Sequence, residues 1–203
     1  MRVHSTRDVP LKLLHEFSSN LQHDIEVEVD ENQMVFRSAE PPSWITFFAQ
    51  ADWWIALAAY GALSYVAEIA KEAGKATWKG FMNLASAREN NELNRLATEI
   101  ETLKAQLRKN TKIEIGLPIP NDHSGTRLGL HGASLGELAS QIAMFIYHLP
   151  ELGKLIDSED LTEDTVAAGI FLELGTDWEL KVSWHDQRTL EKRTKVIPFH
   201  HEV

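Results

Sequence analysis

The sequence predicts an α+β fold: an antiparallel or mixed sheet built from both flanks of the chain, packed on a long central helical pair. Two observations carry this. Short apolar/polar alternations with the two-residue period of strands occupy both flanks, and the middle carries helix-length apolar patterns. The expected organisation is an N-terminal strand–helix–hairpin part (1–40), the helical pair (41–110) and a C-terminal α+β part ending in a meander (111–203).

Residues 2–6 read as a first strand. Asp8 is placed to cap a helix running to about Leu21, with Pro10 in its first turn and Leu11, Leu14, Phe17 and Leu21 on its apolar face. Ile25, Val27 and Val29 alternate with Glu26, Glu28 and Asp30, the pattern of a half-buried strand. Asp30 to Gln33 turns, and Met34 to Ser38 returns.

Pro41-Pro42 ends that part, because the residue before a proline avoids the helical region. Ser43 then suits the N-cap of a helix opening at Trp44. From Trp44 to Ala70 the chain is apolar almost all round, and Trp53 to Ala67, fifteen residues, carries no charge. A helix apolar on every side is either core or membrane-embedded. Spanning a bilayer takes roughly 20 apolar residues, and the longer stretch from Trp44 would bury Asp52. Both a core helix and a membrane-associated helix at Trp44 to Ala70 therefore stand, with Lys71, Lys75 and Lys79 suiting either a helix C-terminus or a cytoplasmic flank.

A second helix is expected over about Thr77 to Lys109. Leu93, Leu96, Ile100, Leu103 and Leu107 recur at spacings of three and four, a heptad seam. So short a seam needs a partner surface. Either the chain's own sheet covers it, or it is an interaction seam for another chain, including a second copy.

Ile113, Ile115, Leu117 and Ile119 alternate with Glu114, Gly116, Pro118 and Pro120, so this strand lies at an edge or stops pairing at its prolines. Asn121 to Arg127 makes a hairpin tip, and Leu128 and Leu130 pair back. Ser134-Leu135-Gly136-Glu137 is a capping box that opens a helix ending before Pro150. After an acidic stretch, Asp157 to Asp164, three strands form an antiparallel meander: Val166–Leu174, Trp178–Trp184 and a basic strand, Leu190–Ile197.

The composition narrows function. With no cysteine, disulfides, thiol catalysis and cysteine-held metal centres are excluded. A net charge of −10 opposes general nucleic-acid binding, which rests on neutralising phosphates. Met1-Arg2-Val3-His4 is followed by no apolar run, so a cytoplasmic setting is expected. Charge is segregated: Lys71 to Lys112 holds nine Lys/Arg against five Glu, and Glu151 to Asp186 ten acids against two lysines. Such blocks face each other or offer a partner distinct patches.

Nine histidines show no metal-ligand spacing, so no metal or cofactor is expected. Trp184-His185-Asp186 does not make a catalytic pair, because adjacent strand residues point to opposite faces. Asn121 to Gly136 is the one segment with ligand-site character. Arg127, His123 and His131 surround glycines and a helix start, a combination able to hold an anion. The leading functional expectation is a non-enzymatic protein–protein interaction protein: an inhibitor, an immunity-type partner or an assembly subunit. The alternatives are a membrane-associated protein anchored by 44–70, and an enzyme or ligand binder using 121–136.

Overall fold

The computed structural model describes residues 1–21, 25–31, 33, 43–54, 91–118, 125–132, 134–162, 164–175 and 179–199. In chain order these form β1 (Arg2–Ser5), α1 (Leu11–Leu21), β2 (Glu28–Val29), β3 (Trp44–Phe48), α2 (Asn91–Gln106), β4 (Lys112–Leu117), β5 (Thr126–Gly129), α3 (Leu135–Ser158), β6 (Val166–Leu174), β7 (Leu180–Asp186) and β8 (Lys192–Ile197). Residues 51–54 are also helical.

The eight strands join into one mixed sheet, ordered β2-β1-β3-β4-β5-β6-β7-β8. The pairs β1–β2, β3–β4 and β5–β6 are parallel, and each is bridged in sequence by a segment containing a helix or helices. The remaining pairs are antiparallel. Register lines Val3, Phe47, Ile115, Leu128, Leu172 and Val182 in one row across six strands. All six are buried in a single apolar core. α1, α2 and α3 pack side by side over this face, with Phe17 of α1 5.0 Å from Phe47.

Both flanks contribute strands to the sheet, although only Glu28–Val29 of the expected Ile25–Asp30 strand forms and its return, Met34 to Ser38, lies outside the described residues. The expected helical pair does not begin at Trp44. Trp44–Phe48 is a strand, and Ser43 is no N-cap. Its hydroxyl donates to the Asp8 carboxylate, and its carbonyl accepts from Lys112 N at 2.9 Å. An apolar run suits a buried strand as well as a buried helix, and Trp-Ile-Thr-Phe-Phe is made of β-branched and aromatic residues that favour the former. The rest of the expected apolar helix, 55–70, and the start of the second, 77–90, lie outside the described residues. Among those described, no helix is long and apolar enough to cross a membrane. Trp54 is fully buried, donates Nε1–H to Gly116 O at 3.1 Å and meets Phe145 edge-on at 5.4 Å.

Three smaller differences have local causes. β4 is interior, between β3 and β5, and stops at Leu117 just before Pro118 rather than lying at an edge. α3 runs through Pro150 to Ser158. The lost amide bond costs about 3 kcal/mol, but Ile146, Leu149 and Leu152 are buried on both sides of it and hold the helix to the core. Asp8 does not cap α1 either. Burial would raise its pKa, but bonds from the Ser43 and Thr6 hydroxyls and its own backbone amide, with Arg108 nearby, hold it below the ordinary 3.8.

The α2 seam is core of this chain. Leu93, Leu96, Ile100 and Leu103 are each at most 3% exposed, and Leu107 packs against the same cluster. Introducing a charge at a site that burial leaves without water or partner is severe. Ile100→Asp should therefore unfold the chain, read as loss of the far-ultraviolet circular dichroism signal. A well-folded Ile100→Asp protein would show that the seam is not core.

Candidate functional site

Of the three residues that gave 121–136 its ligand-site character, His123 lies outside the described residues. The other two are placed on the sheet face away from the helices. Arg127 sits in mid-β5, and register carries a row from it through Phe171 and Ser183 to Thr194. His131 follows β5 and folds back, so that a Cβ on Gly129 would stand 3.0 Å from its Nε2. A shallow groove of about 370 Å³ runs over this face, lined by Gly129, His131, Phe171, Glu173, Ser183 and Lys192 among others.

Arg127 is held by the protein itself. Its side chain is 11% exposed, and Nη2 donates to Ala168 O at 2.9 Å. Glu114, 14% exposed, stands 3.9 Å from Nη1 and accepts from the Thr46 hydroxyl at 3.2 Å. The guanidinium lies over Phe171 at 5.2 Å and Trp44 at 6.0 Å, a cation–π arrangement. Its Nε is buried and has no hydrogen-bond partner among the described residues.

The contact with Ala168 explains this placement. Ala168 (φ 63°) and Gly169 (φ 90°) both take the left-handed region, and the β6–β7 register shifts between Ala167 and Phe171. This is a bulge, and a left-handed backbone costs a residue with a Cβ about 1–2 kcal/mol. Arg127 fixes the bulge from the neighbouring strand.

Several amides at and before the α3 start are taken internally. Gln141 Oε1 accepts from both His131 N and Gly132 N at 3.1 Å, and Ser134 Oγ accepts from Glu137 N. Lys104 Nζ donates to Gly132 O at 2.8 Å. Ser134 caps α3 as the sequence predicts, and in doing so it uses a donor that a ligand would need.

A larger cleft, about 570 Å³, opens beside β1 and β3, where Phe48 and Trp53 meet Glu26, Gln50 and Asp52. Two side chains that line it have acidic partners within the chain: Arg2 meets Glu28 at 3.2 Å, and His4 Nδ1 stands 3.0 Å from Asp30. Among the described residues no group of His, Asp and Glu is arranged to hold a metal ion.

The feature that sequence reasoning missed is the β8 edge of the sheet, which has no strand against its outer side among the described residues. β8 ends the strand order, and five of its six residues are exposed. Residues 187–197 carry Arg188, Lys192, Arg193 and Lys195 against Glu191. Lys195 reaches Glu159 at 3.1 Å and Arg193 reaches Asp186 at 3.2 Å, across pairs open enough to water to contribute little. Two apolar side chains stand out: Leu190 at 68% exposure and Val196 at 50%. The basic run was visible in the sequence, but that it forms the sheet's outer edge depends on strand order.

The turn before β8 is built by Asp186. Its carboxylate accepts from Arg188 N and Thr189 N, each at 3.0 Å, and its carbonyl from Leu190 N at 2.8 Å. Those amide bonds, with Arg193 close by, hold its pKa below the ordinary 3.8. Comparison with protein-family models, with curated proteins and with solved structures finds no match to this chain.

Two outcomes follow. Arg127→Met keeps the packing and removes the clamp, so it should cost about 2 kcal/mol, the range for a bond from a charged donor. Adding Glu114→Gln should recover part of that loss, read by urea unfolding; an unchanged midpoint would mean that Arg127 has no structural role. A depressed carboxyl pKa stabilises above its ordinary value, and the contribution is lost as pH falls through the lowered one. Amide exchange in the β7–β8 turn should therefore quicken, relative to the rest of the sheet, as pH drops below about 3.8. Asp186→Asn should abolish that pH dependence.

Proposed function

We propose that this chain is a non-enzymatic protein–protein interaction protein, in the class of inhibitors, immunity-type partners and assembly subunits, and that it binds through the β7–β8 edge. The observation that carries this reading is β8 itself. It is a six-residue outer strand with five residues exposed and no strand against its outer side among the described residues. An exposed edge presents unpaired N–H and C=O groups, the template that strand-adding partners use.

Of the two readings that the α2 seam allowed, burial favours core over partner surface. The seam's leucines and Ile100 lie against the protein's own core, so the surface for a partner is sought on the sheet. Three amides near the α3 start, those of His131, Gly132 and Glu137, are engaged by Gln141 and Ser134, which weakens the case for an anion site there.

The test places a photo-crosslinking residue at position 196, on β8, and in a second protein at position 12. Lys12 is well exposed on α1, far along the chain from the edge. Irradiated in the native host, the position-196 protein should give a discrete heavier adduct and the position-12 protein none. Equal labelling at both positions, or none at 196, would contradict the assignment.

A further inference from the structure

Leu190 is poorly suited to its own turn. It takes a left-handed backbone, φ 58°, and its side chain is 68% exposed. That backbone costs any residue with a Cβ about 1–2 kcal/mol, and glycine or asparagine fill such positions more easily. The turn does not need leucine for its geometry, because Asp186 supplies the bonds that shape it. Nor does leucine contribute to the core. A strained, exposed aliphatic residue at the head of an open edge points to use outside the fold.

The rest of the edge says what it meets. Leu190 precedes β8 in the turn that leads into it, and Val196 lies near the strand's end. Between them stand Glu191 and three cations, Lys192, Arg193 and Lys195, on a chain whose net charge is −10; Arg193 and Lys195 meet Asp186 and Glu159 only in water-exposed pairs that a partner carboxylate can share. A second copy of β8 laid against the first would bring like charges opposite one another, which is destabilising. Lysines on an edge strand are a device against such self-pairing. They repel a basic strand and attract an acidic one.

We propose that the β8 edge takes up an acidic, extended segment of another protein as an added strand, with Leu190 and Val196 as apolar anchors at its two ends. This rests on the reading of the chain as a protein-binding molecule and names the chemistry of the partner segment. Backbone pairing supplies affinity, and the cations between the anchors select the sequence.

The test uses the full-length, isotope-labelled chain and three short peptides. The first has valine at each end with glutamate alternating with threonine between; the second replaces each glutamate by lysine. The third is the glutamate peptide methylated on alternate backbone nitrogens, which removes strand pairing but not charge. The glutamate peptide should bind and shift the resonances of Lys192 to Ile197. The lysine and methylated peptides should bind at least about tenfold more weakly, a loss of about 1.4 kcal/mol. Leu190→Asn keeps a residue that tolerates the left-handed turn and removes the apolar side chain; it should weaken the glutamate peptide by a similar factor while leaving the sheet's other resonances in place.

Failure of the glutamate peptide to bind, equal binding of the lysine or methylated peptide, shifts away from β8, or indifference to Leu190→Asn would each overturn the proposal. So would self-association of the wild-type chain that Leu190→Asn abolishes, since the occupant would then be a second copy. A position-196 adduct that persists when the peptides fail would leave the protein-binding reading standing and remove the acidic strand. Peptide binding as expected without any adduct would uphold the edge chemistry and count against that broader reading.

Discussion

The row Val3, Phe47, Ile115, Leu128, Leu172 and Val182 fixes where almost everything else in this protein lies. Side chains alternate strictly along a strand, so a slip of one residue moves a whole strand's set to the opposite face. Burial of this row under α1, α2 and α3 therefore assigns the other face as well. His4, Thr46, Glu114, Arg127 and Ser183 are turned away from the helices by the same register. Arg127 comes to rest over Phe171 and against the β6 bulge as a consequence.

The same constraint separates two roles that the sequence presents together. α2 has a seam that reads as well for a partner as for a core, and the helix layer uses it as core. What remains for a partner is the margin of the sheet beyond that layer. Ile197 alone of the β8 residues is buried, so the strand is anchored at one end and open along its length. Cations along it and the exposed Leu190 give that opening a chemical preference, while Asp186 holds the turn that presents it.

Much of the fold was legible because period-two patterns leave little choice of face. The strands at 2–5, 112–117 and 166–174, the α1 stripe and the Ser134 cap follow directly from local residue patterns. The stretch at Trp44 did not, since an unbroken apolar run has no periodicity to separate a buried strand from a buried helix; the β-branched and aromatic content of 44–48 was the signal available. Pro150 misled for the opposite reason: a strong local signal was overridden by burial on both sides of it. Arg127 was singled out for its glycine neighbours, yet its surroundings come from residues 114 and 168, far away in sequence. Strand order decides which strand is an edge, and no local pattern encodes it.

Native-state hydrogen exchange resolved by residue tests the central claim, that β8 is an open margin of the sheet. Amides of β4 and β5, paired on both sides, should exchange through global unfolding alone. Those β8 amides that point away from β7 should exchange orders of magnitude faster, while the inward-pointing ones, bonded to β7, are retained. Outward β8 amides as slow as those of β4 would contradict the account, because the edge would then already be covered.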